Sequence, residues 1–138
     1  PKRVLKSESK DNGQSWSAVV DTDIANPGAG LEVIGLSSGN WALVNNDTEQ
    51  GRHRLSLSLS DDEGATWKWT RSLEFDAPGP EATTAAYPSI IQSKDGLLHV
   101  SYTFTLKGKN ALPDHDAKMQ SECIKHVELN EAWIRVGQ

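Results

Sequence analysis

The chain has 138 residues, 36% of them hydrophobic and 24% charged, which is the size and composition of one ordinary globular domain. Its net charge of −5, with no basic block longer than Lys2-Arg3, excludes the electrostatic footprint of a nucleic-acid binder, and no run of roughly 18 apolar residues is present to cross a bilayer. The single cysteine, Cys123, excludes an internal disulfide, so packing alone must hold the fold.

The polar opening Pro1-Lys2-Arg3 has no signal-peptide core, and Met119 is the only methionine, so we expect a piece of a longer reading frame or a processed product. The compartment stays open. Taken in order, the first expected strands cover residues 4–7 and 18–21, on either side of Ser9-Lys10-Asp11-Asn12-Gly13-Gln14-Ser15-Trp16. Strands follow at 31–36 and 41–45, the turn between them marked by Gly39. The run Arg54-Leu55-Ser56-Leu57-Ser58-Leu59 alternates in the period of a strand, expected over 55–60 with a partner at 68–75. Between those two lies Ser60-Asp61-Asp62-Glu63-Gly64-Ala65-Thr66-Trp67. Further strands are expected at 86–92, 97–104, 124–129 and 133–136, with Asp95-Gly96 closing a hairpin. No helix is expected.

The two eight-residue segments share the frame Ser-x-Asp-x-Gly-x-Ser/Thr-Trp, with Trp16 and Trp67 51 residues apart. Such a frame describes a hairpin turn. The short Asp accepts bonds from backbone amides just ahead of it, Gly supplies a positive φ, the hydroxyl adds a local bond, and the Trp is expected to bury its ring beneath the turn. Trp133 stands where a third such Trp belongs, 66 residues beyond Trp67. The excess over the repeat is accounted for by residues 107–122, a patternless stretch expected to be an inserted loop.

Units of four antiparallel strands every 40–50 residues or so are propeller blades. We therefore expect an all-β partial β-propeller of about two to three four-stranded antiparallel blades. It forms a single domain: a half blade at 1–25, a full blade at 26–76, and a last blade at 77–138 carrying the loop. An open stack leaves apolar faces uncovered, so self-association or membership of a longer chain is expected.

The paired turns resemble the Asp-boxes, or BNR repeats, of sialidases (neuraminidases), with Ser9, Asp11, Gly13, Trp16, Ser60, Asp62, Gly64 and Trp67 at the box positions. Asn26–Glu32, Gly51–Leu55, Tyr87–Gly96 and Ile124–Val127 are similar to the closing blades of bacterial sialidase-like proteins. The resemblance implies a six-bladed propeller and exo-acting hydrolysis of terminal acidic sugars. Sialidases use a Tyr nucleophile assisted by a Glu, because a neutral phenol approaches an anomeric carbon bearing a carboxylate without repulsion, and arginines hold that carboxylate.

Carried onto this sequence, the resemblance gives Tyr87 and Glu32 as catalytic candidates and Arg52 and Arg54 as substrate-binding candidates. Pro88 departs from the serine common after that Tyr, and Glu32 is offset by about two residues from the family position. The family's acid/base Asp and first arginine come from early blades, and this sequence contains neither. An isolated monomer is accordingly expected to be inactive, and the competing reading is a non-catalytic carbohydrate-binding or assembly module. His99, His126, Trp41 and Trp69 are taken as packing or surface residues. Asp114-His115-Asp116 lies within the expected loop, and no metal and no cofactor are assigned.

Overall fold

In the computed structural model, residues 2–108, 111 and 121–137 are described. The serine-leucine alternation forms the centre of the largest sheet. Strands β1 (Arg3–Lys6) and β2 (Val20–Ala25) pair in a two-stranded sheet. Strands β3 (Glu32–Gly35), β4 (Trp41–Asn45), β5 (Arg54–Ser60) and β6 (Trp69–Phe75) follow in sequence order in a four-stranded sheet. A three-stranded sheet joins β7 (Thr84–Gln92), β8 (Leu98–Leu106) and β9 (Ser121–Leu129). Every pairing is antiparallel. Among the described residues the protein is all-β with one short helix, built from open sheets as blades of a partial propeller.

Both faces of β5 are buried, for different reasons. Leu55, Leu57 and Leu59 point into the core shared with Ile90, Leu98, Val100, Tyr102 and Ile134. On the other face, hydroxyl pairs link β5 to β6: Ser58 Oγ with Thr70 Oγ1 at 2.8 Å, and Ser56 Oγ with Ser72 Oγ at 3.4 Å. Each serine finds a hydroxyl partner across the strand, so its burial leaves no polar group stranded.

The segment at 133–136 is not a strand. Helix α1 (Glu131–Arg135) occupies it, and the third sheet ends at three strands among the described residues. Asn130 caps the helix, its Oδ1 accepting from the Trp133 amide at 2.9 Å, with Glu131 in the first turn and Arg135 in the last. Two cation–π contacts hold it against β6: Arg71 over Trp133 and Arg135 over Trp69, each at 4.0 Å. Arg71 Nη1 also donates to Trp133 O at 2.8 Å, and Ile134 is buried in the core. Trp133 therefore packs from a helix and closes no turn. The cap signal at Asn130-Glu131 decides for helix over strand.

Strand bounds shift by a few residues, most clearly in β2, which runs to Ala25, and in β9, which begins at Ser121 within the expected loop. Most of that loop, including Asp114-His115-Asp116, lies outside the described residues. Trp16 also departs from expectation: its ring is 65% exposed, because the two-stranded sheet offers no further strand to cover it. Trp67 is half-buried beside Gly64 and Trp41, where a Cβ on Gly64 would stand 3.3 Å from the Trp41 ring.

Because successive strands are antiparallel, the connections alternate between two ends. One end carries both box turns and the hairpins at Gly39 and Gly96, tied across sheets by the Ser37 amide donating to Gln92 Oε1 at 2.8 Å. The opposite end gathers the connections after β2, β4 and β6. There the Ala85 amide donates to Arg52 O at 2.9 Å, and Asn46 Nδ2 bridges Arg54 O and Ala85 O at 2.9 and 3.0 Å.

Candidate functional site

The two box turns are built alike. In the first, Ser9 Oγ donates to Asp11 Oδ1 at 2.8 Å and accepts from the Gly13 amide at 2.7 Å. The Ser15 amide and hydroxyl then donate to the two Asp11 oxygens at 2.9 and 2.5 Å. In the second, Ser60, Asp62, Gly64 and Thr66 repeat these bonds at 2.7, 2.8, 2.8 and 2.6 Å. The backbone matches as well: Asn12 and Glu63 have φ of 57° and 56°, followed by Gly13 and Gly64 at 84° and 80°. The hydroxyls of Ser15 and Thr66, then their amides, hold Asp11 and Asp62 at a pKa of about 2, below the ordinary 3.8. The Ser, Asp and Ser/Thr side chains of each box bond within their own turn. The boxes are structural corners, at the end away from the candidate site residues.

At the opposite end, the backbone of Tyr87 has a φ of 51°, a conformation that a Cβ-bearing aromatic residue adopts at a cost. The local cause is in the sequence. Pro88 has no amide to donate, the β7–β8 register shifts between Ala86 and Ser89, and the resulting bulge turns Tyr87 out of the ladder. Its ring is 69% exposed. Arg52 lies over it, with Cζ 5.1 Å from the ring centroid, and a Cβ added to Gly30 would stand 3.9 Å from Tyr87 Cδ1.

The four candidates do not all converge. Arg52 and Tyr87 meet, from the β4–β5 connection and from β7. Glu32 reaches the same strand as Tyr87 but is engaged three residues further on, where its Oε2 accepts from the Ile90 amide at 2.7 Å. That bond caps the edge of β7 and ties it to β3. Arg54 is placed elsewhere: its Nε donates to Ser72 Oγ at 3.0 Å and its Cζ lies 5.9 Å from the Phe75 ring, on the serine face of β5. Arg52 and Arg54 share sequence parity, but β5 begins only at Arg54, so the preceding turn carries Arg52 towards the third sheet.

Among the described residues the Arg52 guanidinium has no carboxylate partner, and the Tyr87 hydroxyl has no hydrogen bond. The pair is an open surface of cation and aromatic face, able to receive an anionic group on the guanidinium and a ring against the phenol. Gly30, which leaves room beside Tyr87, lies in the Asn26–Glu32 segment but is not among the candidate site residues that the resemblance carries over.

The comparison with known families settles the broader assignment. The model of the BNR repeat-like domain matches residues 1–100, spanning both boxes and Tyr87. The chain belongs to that family. No match is found among curated proteins. Membership in the BNR repeat-like family accounts for the repeated corners, while the chemistry of the far end rests on the residues themselves.

Proposed function

We propose that the surface formed by Arg52 and Tyr87 recognises an acidic sugar, in a sialidase-like glycoside hydrolase of which this chain supplies late blades. The observation that carries this reading is the guanidinium set 5.1 Å above a tyrosine ring whose own backbone is held at a φ of 51°. A strained, exposed aromatic stacked by an arginine that has no acidic partner among the described residues suits a ligand bearing a carboxylate. The guanidinium takes two carboxylate oxygens in its fork, and the phenol faces the sugar ring as platform or nucleophile.

Glu32 favours a second reading. Its carboxylate is held by the Ile90 amide, so assisting the phenol would require breaking that bond. A module that binds the sugar without cleaving it needs no such release. Titration of the chain with sialic acid, followed by amide chemical shifts, tests the shared claim: binding at the Arg52–Tyr87 end, lost in Arg52→Ala. No shift at either residue would sink both readings. A fluorogenic sialoside then separates them. Turnover by the chain within its longer natural product, lost in Tyr87→Phe, supports hydrolysis, whereas binding without turnover supports the module.

A further inference from the structure

On the third sheet, β8 and β9 are in register with His99 opposite Glu128 and Ser101 opposite His126, so the two histidines are diagonal neighbours on one face. Their nearest nitrogens, His99 Nδ1 and His126 Nε2, are 3.1 Å apart. The ring centroids are 5.2 Å apart with planes inclined by 14°. The excess of the centroid separation over the nitrogen gap is about two ring radii, so the rings meet edge to edge, nitrogen towards nitrogen.

The surroundings fix which nitrogen carries a proton. His99 Nε2 lies 3.2 Å from Ser93 Oγ. The single proton of that hydroxyl is committed to Asp95 Oδ1 at 2.5 Å or to Leu97 O at 3.0 Å, so towards His99 the oxygen only accepts. His99 therefore holds its proton on Nε2 and presents the lone pair of Nδ1 to His126. Glu128 Oε2 stands 3.8 Å from that same Nδ1.

We infer that His99 Nδ1 and His126 Nε2 form a two-nitrogen chelating site for a borderline divalent cation of the Zn2+ kind. Metal–nitrogen bonds of about 2.0–2.1 Å at a tetrahedral angle separate two ligating nitrogens by about 3.3–3.4 Å, so to admit the ion the gap opens by a few tenths of an ångström and the rings turn until both lone pairs converge on it. His126 shifts its ring proton from Nε2 to Nδ1, which frees the Nε2 lone pair for the ion. Ser93 plays the orienting part that hydrogen-bond partners of ligating histidines play elsewhere. No cluster of three such ligands is preformed among the described residues. Water completes the coordination, and Glu128 supplies the nearby negative charge. Imidazole donors select Zn2+, Ni2+ or Cu2+ over Mg2+ and Ca2+. The site opens onto a shallow depression lined by Ser89, Ile91 and Ser101, so an ion enters without rearrangement of the core.

Calorimetric titration of the tag-free chain with Zn2+, and electron paramagnetic resonance with Cu2+, test this. One equivalent of Zn2+ should bind, about tenfold or more weakly in His99→Ala and in His126→Ala, and the Cu2+ spectrum should report two coordinated nitrogens. Cys123→Ser should leave binding unchanged, since strand alternation puts Cys123 on the other face of β9. Amide spectra of each variant confirm that these surface changes leave the fold intact. Equal Zn2+ affinity in the double histidine variant, loss of binding in Cys123→Ser, or no binding in the micromolar-to-millimolar range would each overturn the inference.

Discussion

The hydroxyl of Tyr102 donates to Glu74 Oε1 at 2.5 Å, joining β8 to β6 across the junction between two sheets. Lys125 pairs with the same carboxylate oxygen and lies over the Phe104 ring. Burial, then the bond to Glu74, pushes the Tyr102 phenol far above its ordinary range, so it remains a donor at any physiological pH. Tyr102→Phe leaves the half-buried carboxylate short of one donor and should destabilise the chain by about 1.5–3 kcal/mol, read from urea denaturation. Lys125→Met removes a more exposed partner and should cost under about 1 kcal/mol. Equal costs would show that the phenol bond has no special weight.

The boxes predict an acid limb. Asp11 and Asp62 have folded pKa values of about 2, below 3.8, so the stability they confer is complete above about pH 4 and is lost as pH falls towards 2. Carboxylate chemical shifts should titrate near pH 2. The melting temperature of the chain should fall through that window, and Asp62→Asn should flatten the fall. Asp62→Asn should also lower the melting temperature more than Asp11→Asn, because its corner closes the four-stranded sheet that supplies the core.

Tyr87 sets stability against binding. Tyr87→Gly removes an aromatic ring that is 69% exposed and relieves a φ of 51°. It should stabilise the fold by about 1 kcal/mol while abolishing sugar binding at Arg52. Unchanged or lowered stability would mean that the bulge is favoured by contacts the ring itself makes.

Helix α1 is fastened by the buried Ile134, by two arginine–indole contacts, and by hydrogen bonds from Arg71 to Trp133 O and from Asn40 Nδ2 to Glu131 Oε2. Ile134→Ala should cost about 2–5 kcal/mol. A double-mutant cycle on Arg71 and Trp133 should return a coupling of about 0.5–2 kcal/mol, and zero coupling would show that this arginine–indole contact carries none of the helix's attachment.

Much of the fold is legible because its signals are local. Asp62 and Gly64 close a turn with atoms from eight consecutive residues, and Leu55, Leu57 and Leu59 declare a strand by alternation alone. The helix is not legible in the sequence because a five-residue segment shows too little periodicity, and its cap at Asn130-Glu131 has the composition of a turn. The candidate site was half legible. Pro88 beside Tyr87 hints at a break in the ladder, whereas nothing near Glu32 in the sequence reveals that its carboxylate is held by Ile90, or that the shared parity of Arg52 and Arg54 ends where β5 begins.

The sequence by itself determined the two box corners and most of the strands, since each follows from side chains acting on backbone within a few residues. Only the tertiary structure decided which charged and aromatic groups meet. Arg52 with Tyr87, Glu32 with Ile90, and His99 with His126 are contacts between strands or turns far apart in the chain. Their existence depends on register, bulges and sheet-to-sheet packing, which no local pattern encodes.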